Sequence, residues 1–356
     1  MEKRVVRLRE QLKERNIDGI LITHSSNRRY MTGFTGSAGN VLITQNEAFF
    51  VTDFRYTEQA AEQAPYLSII KQEGSMFETL KELITKTGIH TLGFEQDFVT
   101  YSHYKKFEET FQSVTLVPLS QVIEELRMIK DEQEIQLIRK AAEIADVAFA
   151  HVLQIVKPGM KEVEVALELE CKMRQLGAQG ASFDTIVASG YRSALPHGVA
   201  SEKVIEVGDL VTMDFGAIYQ GYVSDITRTF AIGKVNEKQR EIYNIVLEAQ
   251  LNGVKHVRAG MTGIEADDLT RSIIASYGYG EYFGHSTGHG IGLDVHEGPA
   301  LAMKSNIVLK PGMVVTVEPG IYISKFGGVR IEDDVVITER GGEILTHSPK
   351  ELIIIE

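Results

Sequence analysis

The chain has 356 residues, 43% of them apolar, and a formal net charge of −12, which suits two ordinary soluble domains and is the wrong sign for a nucleic-acid or anionic-membrane partner. The single cysteine, Cys171, excludes an intrachain disulfide and fits a reducing, cytoplasmic compartment. No apolar run reaches the length of a bilayer span, and the charged first residues lack the apolar core of a secretion signal, so no membrane partner is expected.

The first third alternates in type. Val5, Leu8 and Leu12 recur at helical spacing, with Gly19 as the stop. Short apolar runs at 20–23, 41–44, 48–51, 91–94 and 114–117 predict strands, and 56–64 and 76–87 predict helices. This alternation is that of a compact α/β domain, residues 1–125. A charged helical stretch, 124–156, then carries Leu126, Ile129, Ile135, Ile138, Ala142, Ala145 and Ala148 until Pro158 and Gly159 end it. The second domain, 126–356, begins near its start.

That second domain contains an internal repeat. Val156-Lys157-Pro158-Gly159-Met160 is echoed by Val257-Arg258-Ala259-Gly260-Met261, Gly208 to Gly216 by Gly312 to Gly320, and Gly221 to Asp225 by Gly328 to Glu332. The offsets are 101, 104 and 107 residues, in the same order along the chain. Such regularity points to a duplicated α/β unit rather than chance likeness between Gly-bounded strands.

Duplication sets Asp214 opposite Glu318 and Asp225 opposite Glu332. Copies packed about a pseudo-twofold axis bring four carboxylates to one centre. Such groups cannot all ionise in close company without compensation, and divalent cations are the simplest source of it. Arg228 and Arg330 are the bland alternative, as structural ion-pair partners. His289 lies in Gly284-His285-Ser286-Thr287-Gly288-His289-Gly290, where glycines let the backbone approach a ligand closely and make a helix unfavourable. The spacing of His285 and His289 therefore does not signal a helical zinc motif. Carboxylates with one imidazole suit two divalent cations, manganese first, with cobalt, zinc or iron as alternatives. Two metals about 3.5–4 Å apart can clamp a water, lower its pKa and polarise a carbonyl.

These residues carry a resemblance. Asp214 with Asp225, His289-Gly290-Ile291-Gly292-Leu293-Asp294-Val295-His296-Glu297-Gly298-Pro299, Val317-Glu318-Pro319-Gly320 and Arg330-Ile331-Glu332-Asp333 resemble the pita-bread metallopeptidases, in the branch of Xaa-Pro dipeptidase (prolidase) and aminopeptidase P. Asn27-Arg28-Arg29-Tyr30-Met31-Thr32-Gly33-Phe34 resembles the creatinase-like N-terminal domain of that branch. The resemblance implies Asp214, Asp225, His289, Glu318 and Glu332 as metal ligands, with Asp225 and Glu332 bridging. It implies Glu318 as the acid/base group, His197 and His296 at the reaction centre, and His197, His285, His296 and Arg330 as substrate contacts. It further implies Xaa-Pro peptides as substrates and a homodimer. One departure stands out: no arginine occurs at 297–329, where dipeptidases of this group often carry one for the substrate carboxylate, and Lys304 offers only a point charge. That leaves aminopeptidase P, acting on longer peptides, as the alternative. A metal-free creatinase-like enzyme or a non-catalytic binding module with this fold would be expected to lack some of these ligands and accessory histidines.

Overall fold

The computed structural model describes residues 2–356, which form two compact units dividing between Arg127 and Met128. The first holds helix α1 (Glu2–Glu14), strand β1 (Gly19–Ile22), α2 (Ser25–Thr32), β2 (Asn40–Thr44), β3 (Ala48–Thr52), α3 (Thr57–Gln63), β4 (Ser68–Lys71), α4 (Met76–Thr87), β5 (Thr91–Glu95), α5 (Tyr101–Thr110), β6 (Thr115–Leu119) and α6 (Val122–Met128). Its six strands form one mixed sheet in the order β4-β3-β2-β1-β5-β6. Leu21, Leu42, Phe49, Val51, Leu80, Ile84, Leu92 and Phe107 make its core on one face. All five expected strands form. β4 and two helices, α2 and α5, are additional. α2 escapes apolar periodicity because it buries polar residues: Asn27 and Arg28 are both inside, and Arg28 donates to the carbonyls of Gly36 and Gly39.

The expected continuous helix over 124–156 is instead two. α6 ends at Met128, and α7 (Glu132–Ile155) starts afresh. The cause is local: the Asp131 side chain accepts from the backbone of Glu134 while the Glu134 carboxylate accepts from the backbone of Asp131. Such a reciprocal cap satisfies two otherwise orphaned donors and fixes a helix start.

The second unit continues with α8 (Glu162–Gln175), β7 (Gly180–Ala181), β8 (Ile186–Ser189), β9 (Leu210–Phe215), β10 (Ala217–Tyr219), β11 (Tyr222–Val223) and β12 (Ile226–Ile232). Then come α9 (Glu237–His256), α10 (Gly263–Ser276), β13 (Gly288–Gly290), β14 (Glu297–Leu301), β15 (Val314–Val317), β16 (Gly320–Ile323), β17 (Gly327–Arg330), β18 (Asp333–Thr338), β19 (Gly341–Ile344) and β20 (Ile354–Ile355).

The repeat is visible element by element. Each half opens with a long helix and a 14-residue helix, α7 with α8 and α9 with α10. Each half then builds an antiparallel core, β8-β9-β12 in one sheet and β13-β15-β18 in the other. A hairpin follows the central strand in both, β10 with β11 and β16 with β17. The echoed glycines have a common physical reason. Gly159 and Gly260 sit at φ +94° and +89°, and Gly208 and Gly312 at +98° and +86°. This left-handed backbone disfavours any side chain, so both copies keep glycine at the turn before the 14-residue helix and at the turn into the central strand.

Candidate metal centre and active site

Asp214 is in β9, and Glu318 directly follows the equivalent strand, β15. Asp225 lies between β11 and β12 rather than within a strand as its apolar company suggests, and Glu332 occupies the matching break between β17 and β18. The four carboxylates are thus paired by topology, as the duplication anticipates. His289 comes from β13, in one half only. Its flanking glycines are steric necessities: a Cβ on Gly288 would lie 1.9 Å from the carbonyl oxygen of Thr316, and one on Gly290 2.1 Å from that of Gly298.

A cavity of about 490 Å³ opens here, and all five expected ligand residues line it together with His197, His285, His296 and Arg330. Ligand atoms of Asp225, His289 and Glu332 lie within 4.8 Å of one another. His289 Nε2 is 3.7 Å from Asp225 Oδ2 and 3.5 Å from Glu318 Oε1. The imidazole Nδ1 stands 3.1 Å from the carbonyl oxygen of Gly290 and donates its proton there, which leaves the Nε2 lone pair facing the carboxylates. Burial, with the neighbouring His296, brings the His289 pKa down to about 4, so the ring is neutral and ready to ligate.

The carboxylates are under electrostatic pressure. Burial first, then Glu332 and Asp214, pushes Asp225 well above the ordinary carboxylate range, and burial with Glu332 does the same to Glu318. Glu332 rises to about 8 through burial and Asp214, despite the 2.6 Å hydrogen bond it accepts from Thr227 Oγ1. Arg330 relieves only part of this load. Its Nη2 donates to Asp214 Oδ2 at 2.7 Å, while Asp214 Oδ1 is buried without a hydrogen-bond partner. Buried acids that repel one another and carry an orphaned oxygen fit divalent cations. Arg228, the other candidate for structural pairing, turns instead to Asp333 and the carbonyls of Ser348, Thr227 and Glu332.

Several contributors have no signature in the sequence. Tyr322 in β16 places its hydroxyl 2.7 Å from His285 Nε2 and accepts from Arg330 Nη1 at 2.9 Å. The order of donors is Arg330 to Tyr322, Tyr322 to His285, and His285 Nδ1 to the carbonyl of Ser286 at 2.8 Å. Burial followed by Arg330 holds His285 at about 4, the neutral form this chain requires. The loop bearing His285 is clamped by α10: Asp267 accepts two bonds from Arg271, and Arg271 donates to the carbonyls of Phe283 and His285. The loop bearing His197 is held by Glu162, fully buried at the start of α8, which accepts from Ser189, Arg192 and Ser201. Lys304, weighed above as a substitute cation, does not line the cavity; Arg330 is the one lysine or arginine that does, among the described residues.

A duplicated α/β unit that brings the five expected ligand residues to one cavity is the arrangement expected of a metallopeptidase. The chain belongs to the Metallopeptidase family M24, whose profile matches residues 136–339, and residues 4–129 match the Creatinase/Prolidase N-terminal domain. It is 45% identical to an Xaa-Pro dipeptidase of Pyrococcus horikoshii, covering 99% of each chain. Among solved structures it is similar to an Xaa-Pro dipeptidase from Bacillus anthracis, at 57% identity and a TM-score of 0.98 over 99% of each chain. An X-Pro aminopeptidase from Thermotoga maritima matches at 42% identity and a TM-score of 0.91, covering 96% of this chain and 98% of that one.

Proposed function

We propose that this metallopeptidase hydrolyses the Xaa-Pro peptide bond, as an Xaa-Pro dipeptidase, with Asp214, Asp225, His289, Glu318 and Glu332 holding two divalent cations. Manganese is the first choice for this carboxylate-rich set. The observation that carries the reading is the buried carboxylate cluster, with the orphaned Asp214 Oδ1 and the neutral His289 Nε2 facing one cavity. Cations held there supply Lewis-acid polarisation of a carbonyl and acidification of a water. Glu318 is the acid/base group: it takes a proton from the attacking water and returns it to the departing imino nitrogen. Its upward-shifted carboxyl suits a group that carries a proton part of the time. His197 and His296 act at the scissile bond, and His285, whose two ring nitrogens are engaged by Tyr322 and Ser286, meets the substrate by ring contact rather than through a free nitrogen. Arg330, held by Asp214, Thr227 and Tyr322 at the cavity wall, is the proposed cationic contact for a substrate oxygen.

Residues 1–125 are assigned as the N-terminal domain and 126–356 as the catalytic domain. A cytoplasmic homodimer is the proposed form; no described helix is long and apolar enough to cross a membrane. Aminopeptidase P activity is the second reading, favoured by the absence of a further lysine or arginine among the described lining residues. Purified protein with manganese, offered Leu-Pro and Leu-Pro-Gly, separates them. Faster turnover of the dipeptide supports the dipeptidase, and equal or faster turnover of the tripeptide supports the aminopeptidase.

A further inference from the structure

Five carboxylates line the cavity, and four of them are the candidate ligands. The fifth, Asp184, belongs to neither the metal cluster nor any ion pair. It is exposed at the wall of the cavity, next to Phe183, and no hydrogen bond or salt bridge engages its carboxylate among the described residues.

The backbone holds it there on both sides. Ser182 donates its amide to the carbonyl of Gly216, at 2.9 Å, and its hydroxyl to that of Ser224, at 3.0 Å. Thr185 donates to Glu170 at 2.7 Å and accepts from the amide of Ala200 at 3.2 Å. Two residues on, Ile186 pairs in register with the candidate ligand Asp214 and bridges to Val199 of the His197 loop. The backbone therefore holds Asp184 at the wall of the cavity that the candidate ligands line, a cavity to which Phe183, Ile186, Val199 and Val295 contribute apolar surface. Apolar wall with one carboxylate is the complement of an aliphatic stem ending in a cation. The same charge would repel a substrate carboxylate and attract an ammonium group.

We infer that Asp184 is a specificity-determining residue that pairs with a positive charge on the first residue of the substrate. The inference rests on the Xaa-Pro peptidase reading. Two sources share that chemistry: a lysine or arginine side chain at the first position, and the α-ammonium present on every such peptide.

The test compares lysyl-proline with norleucyl-proline, which lacks only the side-chain ammonium, on manganese-loaded wild type, Asp184→Asn and Asp184→Glu. A side-chain partner is expected to lower kcat/KM of Asp184→Asn for lysyl-proline by about fivefold, the scale of a partly solvated ion pair, with norleucyl-proline unchanged. An α-ammonium partner lowers both by a similar factor. In either case the loss falls on KM with kcat retained, as for a group that binds ground and transition states alike. Asp184→Glu recovers activity in both cases. Unchanged kcat/KM for both peptides in Asp184→Asn overturns the assignment, as does a loss that falls on kcat or is not recovered by Asp184→Glu. If wild type cleaves neither peptide, the parent reading fails instead.

Discussion

Glu162 and the Asp225/Glu332 pair are buried acids in the same catalytic unit, and they have opposite fates. Both Glu162 oxygens are satisfied: Ser189 gives one two bonds at 2.8 Å, and Ser201 and Arg192 supply the other. Asp225 has His289 Nε2 at 3.7 Å as its nearest cationisable partner and repelling carboxylates on several sides. Glu332 has one hydroxyl donor. In the first case the protein completes the charge itself and uses it to pin a loop. In the second it withholds donors, which leaves the charge to be completed from outside. Burial alone does not point to a metal site; several buried carboxylates that face one cavity, repel one another and receive few donors do.

The largest effect should come from removing the uncompensated pair. Asp225→Asn with Glu332→Gln is expected to lower metal-dependent turnover of an Xaa-Pro dipeptide by about 10³-fold or more, because several kcal/mol of carbonyl and water activation go with the cations. Stability should move the other way in metal-free protein. Asp225→Asn relieves repulsion and should raise the thermal midpoint, whereas Glu162→Ala strands Arg192 and the serine donors and should cost about 3 kcal/mol. Denaturant titration of both metal-free variants checks this, and a destabilised Asp225→Asn would break the contrast.

The pH dependence is the next test. Glu332 has its pKa raised to about 8, so metal-free folded protein holds a proton there that the unfolded chain has already lost above about 4.5. Stability is therefore lost as pH rises through the window up to about 8. His285 and His289, lowered to about 4, oppose this only up to their ordinary value near 6.5. Between pH 6.5 and 8 the thermal midpoint of metal-free protein should fall, and manganese should restore it most at the upper end. A smaller effect is expected from Tyr322→Phe. Loss of the hydroxyl between Arg330 and His285 should reduce kcat/KM by about tenfold, on the scale of one buried bond, and leave manganese affinity nearly unchanged.

The duplication explains why so much of this centre is legible in the sequence. Asp214 and Glu318 recur at a fixed offset because one lies near the end of a central strand and the other directly after its equivalent, and Gly208 and Gly312 recur because both turns need a positive φ. His289 is readable from the glycines that crowd it. Other parts have no one-dimensional trace. Tyr322 is an ordinary hairpin residue until the fold sets it between Arg330 and His285, and Asp184 is an ordinary loop acid until the cavity forms beside it. The α2 helix is hidden because its buried side chains are polar. The break between α6 and α7 is a different case: Asp131 and Glu134 spell a capping pair, but the surrounding apolar periodicity reads straight across it.

The converging carboxylates are expected to be completed by two cations. Calorimetric titration of metal-free protein with manganese at pH 7.5, in two buffers of different ionisation enthalpy, tests this most directly. Two ions bound per chain are expected, with net proton release as Glu332 and its neighbours ionise. Absence of saturable binding, or binding that survives intact in the Asp225→Asn, Glu332→Gln variant, would contradict it.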